Sequence, residues 1–163
     1  MFSKEGASNL SKIDDSEIPI PGYCHELLST SHIGMMSTFR RADDFVSTTP
    51  VGYVWDGVQI RVSTLRSRMK CKDLMTNPRL TFCVLSRLEV TEYVEIRGYA
   101  TIETDPDRIF WRRQFKEGYR IMHDIEDADP PSDLDPPEAE RVIVTLHPTQ
   151  IACPTLYQGR LAR

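Results

Sequence analysis

No GxSxG elbow, no GxGxxG after a strand and no GxxxxGK[ST] run occurs in these 163 residues. A serine-hydrolase, Rossmann or P-loop site therefore has no motif behind it. The four cysteines, Cys24, Cys71, Cys83 and Cys153, form no CxxC pair, and the four histidines, His25, His32, His123 and His147, form no HExxH pair. No metal site is expected, and the cysteines read as buried or free thiols in a reducing compartment. Positive charge is not in excess: 20 Lys+Arg against 24 Asp+Glu leave a net −4, which offers no field to hold a nucleic-acid backbone. No apolar run approaches about 18–20 residues, and the opening twenty, with Asp14, Asp15 and Glu17, lack the positive start and apolar centre of a signal peptide. The expectation is a soluble, cytoplasmic protein that binds neither nucleic acid nor membrane.

The length suits one domain, because a chain of this size buries a sizeable core. Residues 1–18 are polar and aperiodic and read as a flexible N-terminal arm, residues 19–158 as the domain, and residues 159–163 as a tail. GYCHELLST, with Pro21 before it, reads as a short helix with Leu27 and Leu28 inward. Strand patterns follow at His32–Phe39, Thr48–Trp55, Val58–Thr64, Arg79–Arg87 and Glu92–Glu103. Asp56-Gly57 lies between Tyr53-Val54-Trp55 and Val58-Gln59-Ile60, the chemistry of a two-residue hairpin turn. In the last of these strands Val94, Ile96, Ala100 and Ile102 alternate with Tyr93, Glu95, Arg97 and Tyr99, so one face is core. A helix opens at Asp105-Pro106, with Ile109 against Arg112 and Arg113 and an end marked by Gly118. Segment 124–140, DIEDADPPSDLDPPEAE, is too acidic and proline-rich to fold alone and reads as an exposed excursion before the last strands, Arg141–Leu146 and Thr149–Cys153. Together these elements predict a mainly β, antiparallel barrel with peripheral helices.

Two stretches carry chemistry. TLRSRMKCKDL packs Arg66, Arg68, Lys70 and Lys72 into eleven residues, just past a strand that ends in Ser63 and Thr64 and at the start of a helix reaching Asn77-Pro78. Hydroxyls, cations and a helix start together suit a phosphate. The same run also fits a solvated basic helix face. The other stretch is TTPVGYVWDG, in which Pro50 and Gly52 interrupt β-formers. That pattern suits a flat ring lying against the strand, and equally a bulge near a sheet edge. If the strand ending in Trp55 pairs with the one ending in Thr64, Pro50–Tyr53 neighbours Arg61–Thr64 and both functions share one cleft.

In order, HELLSTSHIGMMST, TTPVGYVWDGVQIRVST, LRSRMKCKDLMTNPRLTFCV and EYVEIRGYATIETDP resemble the pyridoxamine-phosphate-oxidase-like split β-barrel family, in its flavin/deazaflavin oxidoreductase branch. The resemblance covers residues 25 to about 106. It implies a split barrel and a homodimer with cofactor sites at the subunit interface, holding FMN or the 8-hydroxy-5-deazaflavin coenzyme (F-420). Its phosphate-contacting motif carries over to Thr64, Arg68 and Lys70, with Ser63 and Ser67 as hydroxyl donors, and its ring-lining positions to Pro50, Val51, Gly52 and Tyr53. Asp73, where relatives often carry Asn, sets a negative charge near the implied phosphate, and the acidic excursion after Asp124 is a second departure. The tail residues Arg160 and Arg163 read as a basic disordered end rather than a second anion site.

The function implied is a reductase that passes a hydride from reduced deazaflavin to a small conjugated acceptor, with the proton returned by solvent or Tyr53 and no catalytic side chain assigned. Deazaflavin is favoured over FMN because four cations exceed what one phosphate needs. An FMN-dependent oxidoreductase, or a non-catalytic protein sequestering a flavin, tetrapyrrole or lipid, are the alternatives.

Overall fold

A computed structural model describes residues 17–153 of the chain. Nearly all of the expected arm, the end of the expected domain and the tail with Arg160 and Arg163 lie outside the described residues.

A 3-10 turn over Gly22–Cys24 runs into α1, His25–Thr30. The strands are β1, Ile33–Phe39; β2, Val46–Gly52; β3, Val54–Trp55; β4, Ile60–Leu65; β5, Arg79–Leu85; β6, Tyr93–Thr104; and β7, Arg141–Ala152. Between them lie α2, Met69–Thr76, and α3, Ile109–His123. All seven strands join one antiparallel sheet in the order β2-β1-β5-β6-β7-β4-β3. The two edge strands, β2 and β3, are consecutive in sequence and separated by Tyr53 alone. A single residue thus carries the chain from one edge of the sheet to the other, which curls the sheet into a split barrel, as expected for a mainly β fold.

Tyr53 is the pivot. Its N–H donates to the His32 carbonyl at 3.0 Å, and its hydroxyl donates to the Leu28 carbonyl at 2.8 Å. The ring is buried edge-on to Phe82, with centroids 5.5 Å apart. Around it lie Met36, Ile60, Val62, Val84, Val94, Ile96 and Val144, all buried, each such side chain stabilising the fold by about 1.5–3 kcal/mol. The alternation predicted for β6 holds, since Val94, Ile96 and Ala100 face this core.

Four local expectations are corrected. The hairpin turn has its positive φ at Gly57 (94°), and Asp56 acts as the acceptor, its Oδ1 taking the N–H groups of Val58 and Gln59, with Trp55 and Ile60 as the last laddered pair. The last two predicted strands are one, β7, with the register slipping opposite Arg97 and Gly98. There a β-carbon on Gly98 would meet the His147 carbonyl oxygen at 2.0 Å, so only glycine fits. In α3, Ile109 is exposed, whereas Phe110, Trp111 and Gly118 are buried. Gly118 does not end this helix, which continues to His123 and stops at Asp124 in the left-handed conformation. Asp105 seats the start of α3: its carboxylate accepts the N–H groups of Phe110 and Trp111, an anion at the positive end of the helix dipole.

Candidate functional site

The jump at Tyr53 opens a gap. β4 pairs with β3 only at Arg61 and Ile60, so beyond that point the β3 side of β4 has no strand beside it. The freed Ser63 N–H is taken by the Gln114 side-chain oxygen of α3 at 2.7 Å. Across the gap stands the outer edge of β2. Pro50 occupies that edge, where its missing N–H breaks no ladder bond. The gap forms a cleft of about 580 Å³, within the size range of small-molecule sites. One wall is Pro50, Val51 and Gly52, and the other is Ser63, Thr64 and Leu65. Arg68, Met69 and Lys70, from the start of α2, close one end.

The structure therefore brings Pro50, Val51, Gly52, Ser63, Thr64, Arg68 and Lys70 to one cleft. The neighbourhood comes from the closing of the barrel, because the β3–β4 hairpin is too short to provide it. Tyr53 and Ser67 are not among the lining residues. Tyr53 turns inward, and burial pushes its phenol well above the usual range, so its hydroxyl proton stays with the Leu28 carbonyl. Gly52 has a packing reason of its own, since a β-carbon there would meet His32 Nε2 at 2.9 Å.

The four cations of the basic run divide. Arg66 pairs with Glu140 at 3.0 Å, and Lys72 does not line the cleft. Arg68 and Lys70 do line it, and neither has an ion-pair partner among the described residues. Lys70 is held below the ordinary lysine value, first by burial and then by the Arg68 charge beside it. Two uncompensated neighbouring cations in a concave site repel one another, and an anion relieves both. Asp73 does not reach this cleft. It is buried, and its Oδ1 accepts the Arg41 N–H at 3.2 Å.

The cleft also holds two residues that spacing did not reveal, Arg141 and Asp135. Asp135 belongs to the acidic segment expected to be a mere exposed excursion, yet its side chain is 4% exposed and paired with Arg141 at 2.6 Å. A single buried Asp among so many solvated ones leaves no compositional trace.

A second, smaller cleft of about 260 Å³ adjoins the first at Gly52. It lies between β1, β2 and α3 and is lined by His32, Trp111, Phe115, Tyr119, Met122 and His123, among others. Phe115 and Tyr119 stack with centroids 4.5 Å apart. His32 forms its floor, wedged against Gly52 and Gly118. Burial holds this imidazole below its ordinary value, so it is neutral near pH 7. Among the described residues no three His, Cys, Asp or Glu side chains gather as metal ligands, and no helix is long and apolar enough to cross a membrane.

Similar folds are known. A solved structure named F420 reductase superposes with a TM-score of 0.67 at 26% identity, over 82% of this chain and 98% of that one. General Stress Protein 26 from Bacillus anthracis superposes with a TM-score of 0.58 at 19% identity, over 79% and 88%. A heme binding protein from Mycobacterium smegmatis gives 0.54 at 13% identity, over 90% of this chain but 57% of that one. The last two show the shared fold alone. None of the curated proteins matches this chain. The family model described as pyridoxamine 5'-phosphate oxidase matches residues 20–152, which takes in every strand and helix above, and the chain belongs to that family.

Proposed function

We propose that the protein is a flavin-type oxidoreductase, and specifically a deazaflavin (coenzyme F-420)-dependent reductase that delivers a hydride to a small conjugated acceptor. The observation that carries this is the pair Arg68 and Lys70, lining the long cleft without a carboxylate of their own. These cations fit an anionic tail, helped by the hydroxyls of Ser63 and Thr64, while Pro50, Val51 and Gly52 form a wall against which a flat ring can lie. When bound, the coenzyme supplies the hydride, and the protein supplies orientation and water exclusion. The acceptor enters the aromatic cleft beyond Gly52, where Phe115 and Tyr119 favour a flat apolar molecule. The proton comes from solvent, because the Tyr53 hydroxyl is committed inside the core.

Deazaflavin is supported by the likeness to the F420 reductase. FMN is the second reading, favoured by one observation: only Arg68 and Lys70 of the four-cation run line the cleft, so the run no longer exceeds what a single phosphate needs. A homodimer fits both, since Phe45, Val46 and Met69 are exposed along the β2 edge and the cleft mouth, where a second copy would cover them.

The visible spectrum of the purified protein separates the two readings, together with titration by reduced deazaflavin. A colourless protein that binds the deazaflavin and reduces an enone or quinone supports the first. A yellow protein with flavin absorption supports the second. Replacing Arg68 and Lys70 together weakens either coenzyme by several kcal/mol, at about 1.5–3 kcal/mol for each charge-assisted hydrogen bond. Binding unchanged in that double variant removes the assignment. Tight binding without turnover of any acceptor moves the protein to the non-catalytic class.

A further inference from the structure

Arg141 opens β7, directly after the acidic segment, and its guanidinium is held on three sides. Its Nε–H and Nη2–H donate to the two oxygens of Asp135, at 2.7 and 2.6 Å. Its plane lies over the Trp111 ring, 4.3 Å from the centroid. The remaining nitrogen, Nη1, is 3.5 Å from the Ser63 hydroxyl on the cleft wall. Asp135 is itself fixed, because Arg108 approaches the same carboxylate at 3.4 Å while its Nη2 donates to the Ala139 carbonyl at 3.1 Å. Both members of the pair are largely withdrawn from water, with Asp135 4% and Arg141 12% exposed.

A bidentate carboxylate uses two corners of the guanidinium fork and leaves the third oriented. Here the third corner stands beside Ser63, in the cleft that Arg68 and Lys70 line. Asp135 is neutralised by its two arginines, so its presence does not cancel the charge of that pair.

We propose that Arg141 is a third contact for the phosphate ester of the bound ligand, and that Asp135 is the positioning residue that aims it. The acidic segment then builds the anion site instead of merely bordering it. This rests on the reading of the cleft as a phosphate-ester site. The ligand class is a phosphate ester of a flat heterocycle, and FMN and the deazaflavin coenzyme are its two sources.

The test uses the full chain and three probes: FMN, riboflavin, which lacks the phosphate, and the deazaflavin coenzyme. Arg141→Gln is expected to weaken FMN or deazaflavin by about tenfold or more while riboflavin changes little, the range of one lost charge-assisted hydrogen bond. Arg141→Lys, which keeps the charge and can keep its bond to Asp135, is expected to restore only part of that loss. Asp135→Asn gives the decisive sign. A bystander carboxylate would strengthen phosphate binding on losing its charge, whereas a positioning carboxylate weakens it because Arg141 is released. Asp135→Glu is expected to recover part of the affinity. The inference is overturned if the FMN-to-riboflavin affinity ratio is unchanged in Arg141→Gln but falls in Arg68→Gln, a result that leaves the anion cleft standing. If FMN binds no better than riboflavin in the unaltered protein and in every variant, the reading of the cleft fails first and this inference with it.

Discussion

His32 and Gly118 are in such close contact that a β-carbon at position 118 would lie 2.2 Å from the His32 Nε2. The imidazole thereby joins the start of β1 to the middle of α3. Gly118→Ala is expected to cost about 1–3 kcal/mol by overpacking. Urea unfolding measures it, and His32→Ala combined with Gly118→Ala is expected to be less harmful than the sum of the two. Additive losses would mean that the two residues do not press on one another.

The same histidine sets an acid limit. Its folded-state value lies below the ordinary 6.5, chiefly through burial, partly opposed by the Tyr53 backbone carbonyl. The unfolded chain therefore binds the proton first as pH falls. The contribution is intact above about 6.5 and is lost as pH drops towards the lower folded value. His32→Asn is expected to flatten stability against pH in that window. An unchanged slope would place the acid sensitivity elsewhere.

Lys70 gives a limit on the alkaline side. Because burial and Arg68 hold it below 10.5, it loses its proton earlier than an ordinary lysine. Affinity for FMN or the deazaflavin coenzyme is expected to weaken as pH rises through that lowered value. Lys70→Arg should extend binding to higher pH, since a guanidinium stays charged. Equal alkaline profiles for the two proteins would remove Lys70 from the anion site.

Tyr53→Phe separates a structural tyrosine from a proton donor. Loss of the bond to the buried Leu28 carbonyl is expected to destabilise the fold by about 1–3 kcal/mol. Turnover per folded molecule should persist, because the hydroxyl lies in the core and not in the cleft. A collapse of turnover with stability intact would restore Tyr53 as the proton source.

Much of the sheet could be read directly from the chain. Alternation marked the faces of β6, and the basic run after Thr64 marked the start of α2. The turn at Asp56-Gly57 was legible to within one residue, since glycine is the position that takes positive φ. Gly118 was misread for a reason local pattern cannot supply: its small size answers to His32, a residue 86 positions away in a different element. The candidate site was legible in its two linear stretches and not in Asp135 or Arg141. A single buried carboxylate among eleven other acidic and proline positions of the segment has the same composition as its neighbours, and only its pairing distinguishes it.

Residue order alone determined the faces of β6, the two stretches from which the cleft is built and the four-cation run after Thr64, because these follow from side-chain period and local charge. Tertiary structure decided which edges meet, that Tyr53 serves the core, that Arg66 is neutralised by Glu140 and that Arg141 enters the site. Period-two alternation tells which face of a strand is buried but carries no information on which strand lies beside it, and ion pairs form between whichever charges closure of the barrel brings together.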